Sequence, residues 1–355
     1  MPYMPFMATS GSFPYCGPPI SAHGSVTYHM WTMIGSYQYV LYSGDVTFYP
    51  QNWASYLEGM KYFPKLVDPA TDLIYVPRDV ANDWGQSAVN EFQASAQTLF
   101  FHTLVTGGGS RRLVGSTASG DAGNNLWPTP RAGIHSQNGN SRAVLFGIIG
   151  PSSSRTQDIS SSLTQNWTPI GAASPELPGE TSPFISSFKI QADLSTTIEG
   201  YLVNGTFGYR WDYGYNGDFS YTSHAHSWAT GPITALTEHV LGLSIVEPAG
   251  STWRLALQFG NLTSCQGGFS TKLGRFPASW RLRGEAGYRL DYDTPKGTAS
   301  LLLLPKGPQE TRVVVDGIAQ TSLDVVEASG NRLLLALHSN DGKHRIEVSW
   351  APSRF

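Results

Sequence analysis

Residues 231–259 read GPITALTEHVLGLSIVEPAGSTWRLALQF, and the spacing of their apolar residues changes partway along. As far as Gly242, the residues Ile233, Leu236 and Val240 recur at helical spacing behind Gly231-Pro232, which puts proline at the first helical position. After about Ser244 the period falls to two. TWRLALQF (252–259) is followed by ASLLLLP (299–305), TRVVVDG (311–317), LDVVEAS (323–329), RLLLALHS (332–339) and HRIEVSW (344–350), with Gly, Asn, Asp and Pro between them. NDG at 340–342 predicts a tight hairpin. Short strands with no intervening helix predict an antiparallel β-sandwich over 244–355. That half shows no polar cluster suggestive of chemistry, so its expected work is to pack against and stabilise the rest.

Upstream, the chain reads as helices joined by long loops. Residues 1–24 are rich in Pro, Gly and Ser and are expected to be irregular. From Ser25, Met30, Ile34, Tyr37 and Leu41 share one helical face, ended by SGD at 43–45. Trp53, Tyr56, Leu57 and Met60 mark a second helix with Pro64 as its stop, and the two predict a helical hairpin. DPATDLIYVPRDVANDWG (68–85) reads as a loop with a short strand at 73–76, presenting Asp83-Trp84 before a third helix. That helix takes Ser87 as N-cap, turns Val89, Phe92, Ala96 and Leu99 inward, and is expected to end before Gly107-Gly108-Gly109. A loop is expected over 107–139, and helix resumes in SRAVLFGII (141–149), near 158–167 and in SPFISSFKI (182–190). Helical hairpins with long loops, over 25–243, point to an α/α toroid or bundle rather than a parallel sheet.

Composition narrows the function. Charged residues are 14% of the 355 and the net charge is −3, so there is no basic stripe of the kind that binds nucleic acid. No apolar run is long enough to span a bilayer, so no membrane partner is expected. The first residues have neither a basic nor a continuous apolar segment, and no signal peptide is read there, although sequons at Asn166, Asn204 and Asn261 fit a secreted glycoprotein. Cys16 and Cys265 either pair or stay free. No cofactor is implied.

Chemistry is concentrated in 195–232, STTIEGYLVNGTFGYRWDYGYNGDFSYTSHAHSWATGP. One carboxylate, Glu199, sits among many aromatic rings, which suits a pocket that stacks sugar rings and sets a carboxylate at a reacting carbon. His224 and His226 alternate so that a strand would put both on one face, but no third metal ligand is evident. Plainer readings stand beside these: Trp84 and Trp228 packed between helices, Asp83 capping the helix after it, and Glu199 solvated at a helix start.

The runs TYHMWTMIGSYQYVLYSGD, ANDWGQ, QNGNSRAVLFG, NWTPIGAASPE, TTIEGYLVNGTFGYR, SHAHSWATGPITALTEHVLGL and GGFSTKLGRFPASW resemble, in this order, the C-terminal half of fungal α-L-rhamnosidases of glycoside hydrolase family 78. The resemblance implies a partial (α/α)6 toroid of six-hairpin glycosidase type followed by a β-sandwich. It also implies hydrolysis of terminal α-L-rhamnosyl residues with inversion, in an extracellular glycoprotein, with no metal. Glu199 in T-I-E-G matches the family's general base, with Ile198 where Trp is usual. Asp83 and Trp84 match a pair that binds and stacks the sugar, His226 a histidine that reaches a rhamnose hydroxyl, and Trp228 lies just beyond it.

Two features depart from the family. No Asp or Glu precedes Asp45, where the family's general acid motif would lie, and FKIQADLSTTIEG passes directly to Glu199 where the family inserts a helix and a loop. A shortened chain is expected to be inactive or slow, or to be a non-catalytic remnant that binds rhamnose-containing glycans. It is also expected to expose faces such as Met30/Ile34/Tyr37 and to self-associate through them.

Overall fold

A computed structural model describes residues 7–15, 22–83, 92–113, 137–149, 154–165, 167–168, 171–172, 180–181, 201–202, 231–308, 310–320, 326–328, 332–335 and 341–350. The chain divides into two compact units, Met1–Gln38 with Thr47–Gly231, and Tyr39–Val46 with Pro232–Phe355. A helical N-terminal region is followed by a domain of mostly antiparallel sheet.

Helix α1, Val26–Ser43, buries Met30, Met33 and Ile34, and α2, Phe48–Met60, buries Tyr49 and Tyr56. Met30 and Ile34 are therefore core residues, not the exposed face expected of a shortened toroid. On α2 the inward side is set by Tyr49 and Tyr56, and Leu57 points out. The buried rings carry hydroxyls, and these meet a partner: Ser110 Oγ lies against the Tyr49 hydroxyl and 3.4 Å from that of Tyr56. A two-stranded hairpin follows, β1 (Val67–Asp68) with β2 (Leu73–Ile74).

Helix α3 runs from Ala94 to Leu113, through the three glycines expected to end it. A β-carbon on Gly109 would lie 2.7 Å from Tyr37 Cε2, whereas one on Gly108 would meet open space. Close approach of α1 explains the glycine at 109, so it marks packing rather than a stop. Ala96 and Leu99 are buried as the periodicity implies, while Ser87 and Val89 lie outside the described residues. Helices α4 (Gln137–Leu145) and α5 (Ser154–Thr164) follow. Then come the short pairs β3 (Trp167–Thr168) with β4 (Gly171–Ala172), and β5 (Glu180–Thr181) with β6 (Tyr201–Leu202). The helix expected over 182–190 lies outside the described residues.

Helix α6 starts at Gly231–Ala235 and continues as a π-helical stretch, Leu236–Leu241, closed by Gly242 at φ +89°. The wider π turn shifts which side chains face inward. Ala235 and Leu241 are buried, whereas Ile233 and Leu236, expected to be inward, are exposed.

The strands of the second unit are β7 (Leu243–Ile245), β8 (Thr252–Ala256), β9 (Ser264–Thr271), β10 (Gly274–Leu282), β11 (Gly287–Thr294) and β12 (Ala299–Pro305), then β13 (Thr311–Val315), β14 (Ile318–Ala319), β15 (Val326–Ala328), β16 (Arg332–Leu335) and β17 (Gly342–Trp350). They form two sheets, ordered β14-β13-β17-β11-β10-β9 and β15-β16-β12-β8-β7. All pairs are antiparallel except β8 with β12, which are parallel. One core joins the sheets: Trp253, Leu255, Leu302 and Leu304 from one face meet Trp280, Tyr288, Leu290, Ile346 and Val348 from the other. Alternation does this locally, as β11 points Tyr288, Leu290 and Tyr292 inward and Arg289 and Asp291 outward.

Asn340 of NDG at 340–342 lies outside the described residues, and the described strands on either side, β16 and β17, belong to different sheets rather than pairing with each other. A tight turn lies at Asp316-Gly317 between β13 and β14, with φ +51° and +85°, the two positive values that a type I′ loop requires. The last residues of α1 and the turn after it are tied into this unit by Tyr42, which donates to the Glu238 carboxylate, and by Lys272, whose ammonium donates to Gly44 O.

Candidate functional site

The site begins with the N-terminus of α1. Gly24 adopts φ +104°, with Asn82 Nδ2 and Asp79 O both 3.0 Å from where a β-carbon would sit. This turn lets the chain pair with 81–83: Asn82 N–H donates to Gly24 O at 3.1 Å, and Ser25 bridges Ala81 antiparallel. Ser25 Oγ accepts Tyr28 N–H at 3.3 Å, which makes Ser25 the N-cap of α1. Thr27 Oγ1 then donates to Asp83 Oδ2 at 2.8 Å. Asp83 is half-buried, while Ser25 and Thr27 are 5% and 3% exposed.

Asp83 therefore does not cap α3, whose first residue is Ala94. The hairpin before it is held to α3 from the other side, since Gln97 Oε1 accepts Ile74 N–H at 3.0 Å and Gln97 Nε2 donates to Ile74 O at 2.5 Å. Trp84, Glu199, His224, His226 and Trp228 lie outside the described residues. The described strand that follows Glu199 in the chain, β6, pairs with β5.

Sequence reasoning missed the buried polar groups of this unit. His29 is fully buried, its Nδ1 accepting Phe13 N–H at 3.0 Å and its Nε2 lying 3.0 Å from Gly59 O. A carbonyl only accepts, so Nε2 carries the proton and the ring is neutral. Burial lowers its pKa to about 4, opposed by the bond to Gly59. Arg142, 1% exposed, holds its guanidinium carbon 5.2 Å from the centre of the Trp31 ring, a cation–π contact. His102 stacks on Phe146 at 3.9 Å, and burial lowers its pKa to about 4 as well. Only Ser25 carried a sequence signal, as a serine immediately before an apolar helical run.

The sheet unit also holds a polar cluster, where none was expected. Asp291 accepts from Arg289 Nε at 2.6 Å and from Arg345 Nε at 2.9 Å, and Asp316 lies 2.7 Å from His344 Nδ1 while accepting Arg345 N–H at 2.7 Å. Asp291, Asp316, His344 and Arg345 line an open cavity of about 470 Å³. The bonds within the cluster satisfy its charges, which makes it a brace between strands rather than a reacting centre. Among the described residues, no group of three or more His, Cys, Asp or Glu could hold a metal, and no helix is long and apolar enough to cross a membrane.

No family model and no curated protein sequence matches this chain. Solved structures do. The α-L-rhamnosidase of Dictyoglumus thermophilum superposes with a TM-score of 0.66 over 98% of this chain at 12% identity. The fold is a rhamnosidase fold. The GH78 family rhamnosidase of Bacillus sp. GL1 gives 0.58 over 83% at 15% identity, and the Streptomyces avermitilis α-L-rhamnosidase, complexed with L-rhamnose, gives 0.59 over 97% at 13%. This chain covers 43%, 34% and 35% of those three proteins, less than half of each rhamnosidase.

Proposed function

We propose that the chain is a glycoside hydrolase of α-L-rhamnosidase type, acting on terminal α-L-rhamnosyl residues with inversion. The likeness to rhamnosidase structures over 98% of the chain supports this reading most strongly. Asp83, half-buried in a loop stitched to α1, belongs to the segment matched to the family's sugar-binding pair. Inversion requires two carboxyl groups ~6.5–9.5 Å apart, one activating a water and one protonating the leaving oxygen. Glu199 is the proposed base. Asp83 and His226 take sugar hydroxyls, and Trp84 and Trp228 supply stacking faces. The acid comes from a carboxylate at or after Asp45, or from polypeptide beyond this sequence. Secretion is part of the proposal and is supported by the sequons, of which Asn261 lies exposed before β9.

Turnover of an aryl α-L-rhamnoside by the expressed chain tests the reading. Glu199→Gln is expected to lower kcat by ~10²-fold or more, in line with a positioned acid–base group. Turnover insensitive to that substitution removes Glu199 from the role. A second reading, a rhamnose-binding module without turnover, expects calorimetric binding of L-rhamnose without product.

A further inference from the structure

Resting on the sugar-binding role proposed for Asp83, we infer that Thr27 is the positioning residue of that site, with Ser25 behind it in a directed hydroxyl relay. Each hydroxyl has one hydrogen to give. A carboxylate oxygen accepts, so the Thr27 hydrogen goes to Asp83 Oδ2 across 2.8 Å. Ser25 Oγ lies 3.2 Å from Thr27 Oγ1, and because the Thr27 hydrogen is already committed, Ser25 is the donor in that contact. Ser25 Oγ keeps a lone pair for Tyr28 N–H, the capping bond of α1. The order is therefore Ser25 to Thr27 to Asp83, and it ends on the one member of the proposed sugar site that is described.

Burial gives the relay its strength. Ser25 and Thr27 are almost fully shielded, so water does not compete for their bonds, and Thr27 as a β-branched residue in a helix has few rotamers to choose from. The backbone adds a second constraint through the Asn82 to Gly24 bond and the Ser25–Ala81 bridge. Main-chain pairing fixes where the loop lies, and the Thr27 hydroxyl holds one carboxylate oxygen of Asp83. The α1 N-terminus thus serves the site through a side chain one position inside the first helical residue, not through its orphan N–H groups.

Calorimetry of the full chain with L-rhamnose, with the unfolding midpoint recorded for each variant, tests this. A bond to a charged group is worth enough that Thr27→Val is expected to weaken binding by about tenfold, and Thr27→Ser to stay within about twofold of the native chain. Should Thr27→Val fail to fold, Thr27→Cys keeps the volume with a weaker donor and is expected to lose about threefold. Native affinity in Thr27→Val or Thr27→Cys beside a weakened Asp83→Asn overturns the inference and leaves the sugar site standing, as does a Thr27→Ser variant as weak as Thr27→Val. No heat from the native chain at millimolar L-rhamnose overturns the site reading itself, and the inference with it.

Discussion

The two units bury different things. In the sheet unit the core is apolar from strand to strand, with Trp253, Trp280, Leu290, Leu302 and Ile346 at 0–2% exposure and the polar residues of β11 and β17 turned out to a surface cluster. The helical unit buries His29, Arg142, Gln97 and Ser110 alongside its apolar residues, and joins its elements through the bonds of His29, Gln97 and Ser110 and the contact of Arg142 with the Trp31 ring. One unit is held mainly by area removed from water, which tolerates changes of solvent pH. The other depends on protonation states and single hydrogen bonds, which do not.

The largest effect should come from the apolar core. Trp253→Ala removes a fully buried ring that packs edge-on against Tyr292 at 5.1 Å, and is expected to cost the sheet unit about 3–5 kcal/mol in denaturant unfolding at any pH. A loss below about 1 kcal/mol would mean that the two sheets share less core than described.

Next comes pH. The folded-state pKa of His29, about 4, lies below its ordinary 6.5, so the unfolded chain takes up the proton first as pH falls. The stability from neutral His29 is complete above about 6.5, falls through the interval, and levels off below about 4, a loss of roughly 3 kcal/mol at 1.4 kcal/mol per unit. Urea unfolding of the helical unit from pH 7 to 4 should show that slope with a further part from His102, while His29→Phe should remove the His29 part; in the sheet unit, where burial lowers the pKa of His239, the slope should be smaller. Equal slopes in both units would erase the contrast.

Smaller effects separate neighbouring glycines. Gly109→Ala forces a β-carbon toward the Tyr37 ring and should destabilise by about 1–3 kcal/mol. Gly108→Ala, facing open space in the same helix, should stabilise by up to about 1 kcal/mol. The same sign at both positions would refute the close approach of α1 and α3. Smallest of all, Asp291→Asn in the outer cluster of the sheet unit should change stability by less than about 1 kcal/mol, since its partners are largely exposed.

The same contrast explains what was legible in the sequence. The change of period after Gly242 was readable because strands such as ASLLLLP and HRIEVSW carry their core in every second residue. Strand β9 was not, because Gly267 and Gly268 replace the apolar alternation. Gly268, at φ +152°, sits where any β-carbon would lie 2.3 Å from Phe276 O, so its neighbour strand forbids the side chain that would have signalled a strand. Pro277 hid β10 in the same way, and it is tolerated because the ladder to β11 begins one residue later, at Ala278. In the helical unit, glycine at 107–109 reads locally as punctuation, but at Gly109 tertiary packing decides its use. Of the candidate site, Asp83 was visible as a polar residue beside Trp84, but Thr27 was not: nothing local distinguishes a helix threonine that bonds across 56 residues.

The anomeric form of the sugar first released from an α-L-rhamnoside, followed by NMR before mutarotation, bears most directly on the proposed activity. An inverting site built on Glu199 should release β-L-rhamnose, and Glu199→Gln should abolish the signal. Release of the α-anomer first, or β-anomer release unchanged in Glu199→Gln, would contradict it.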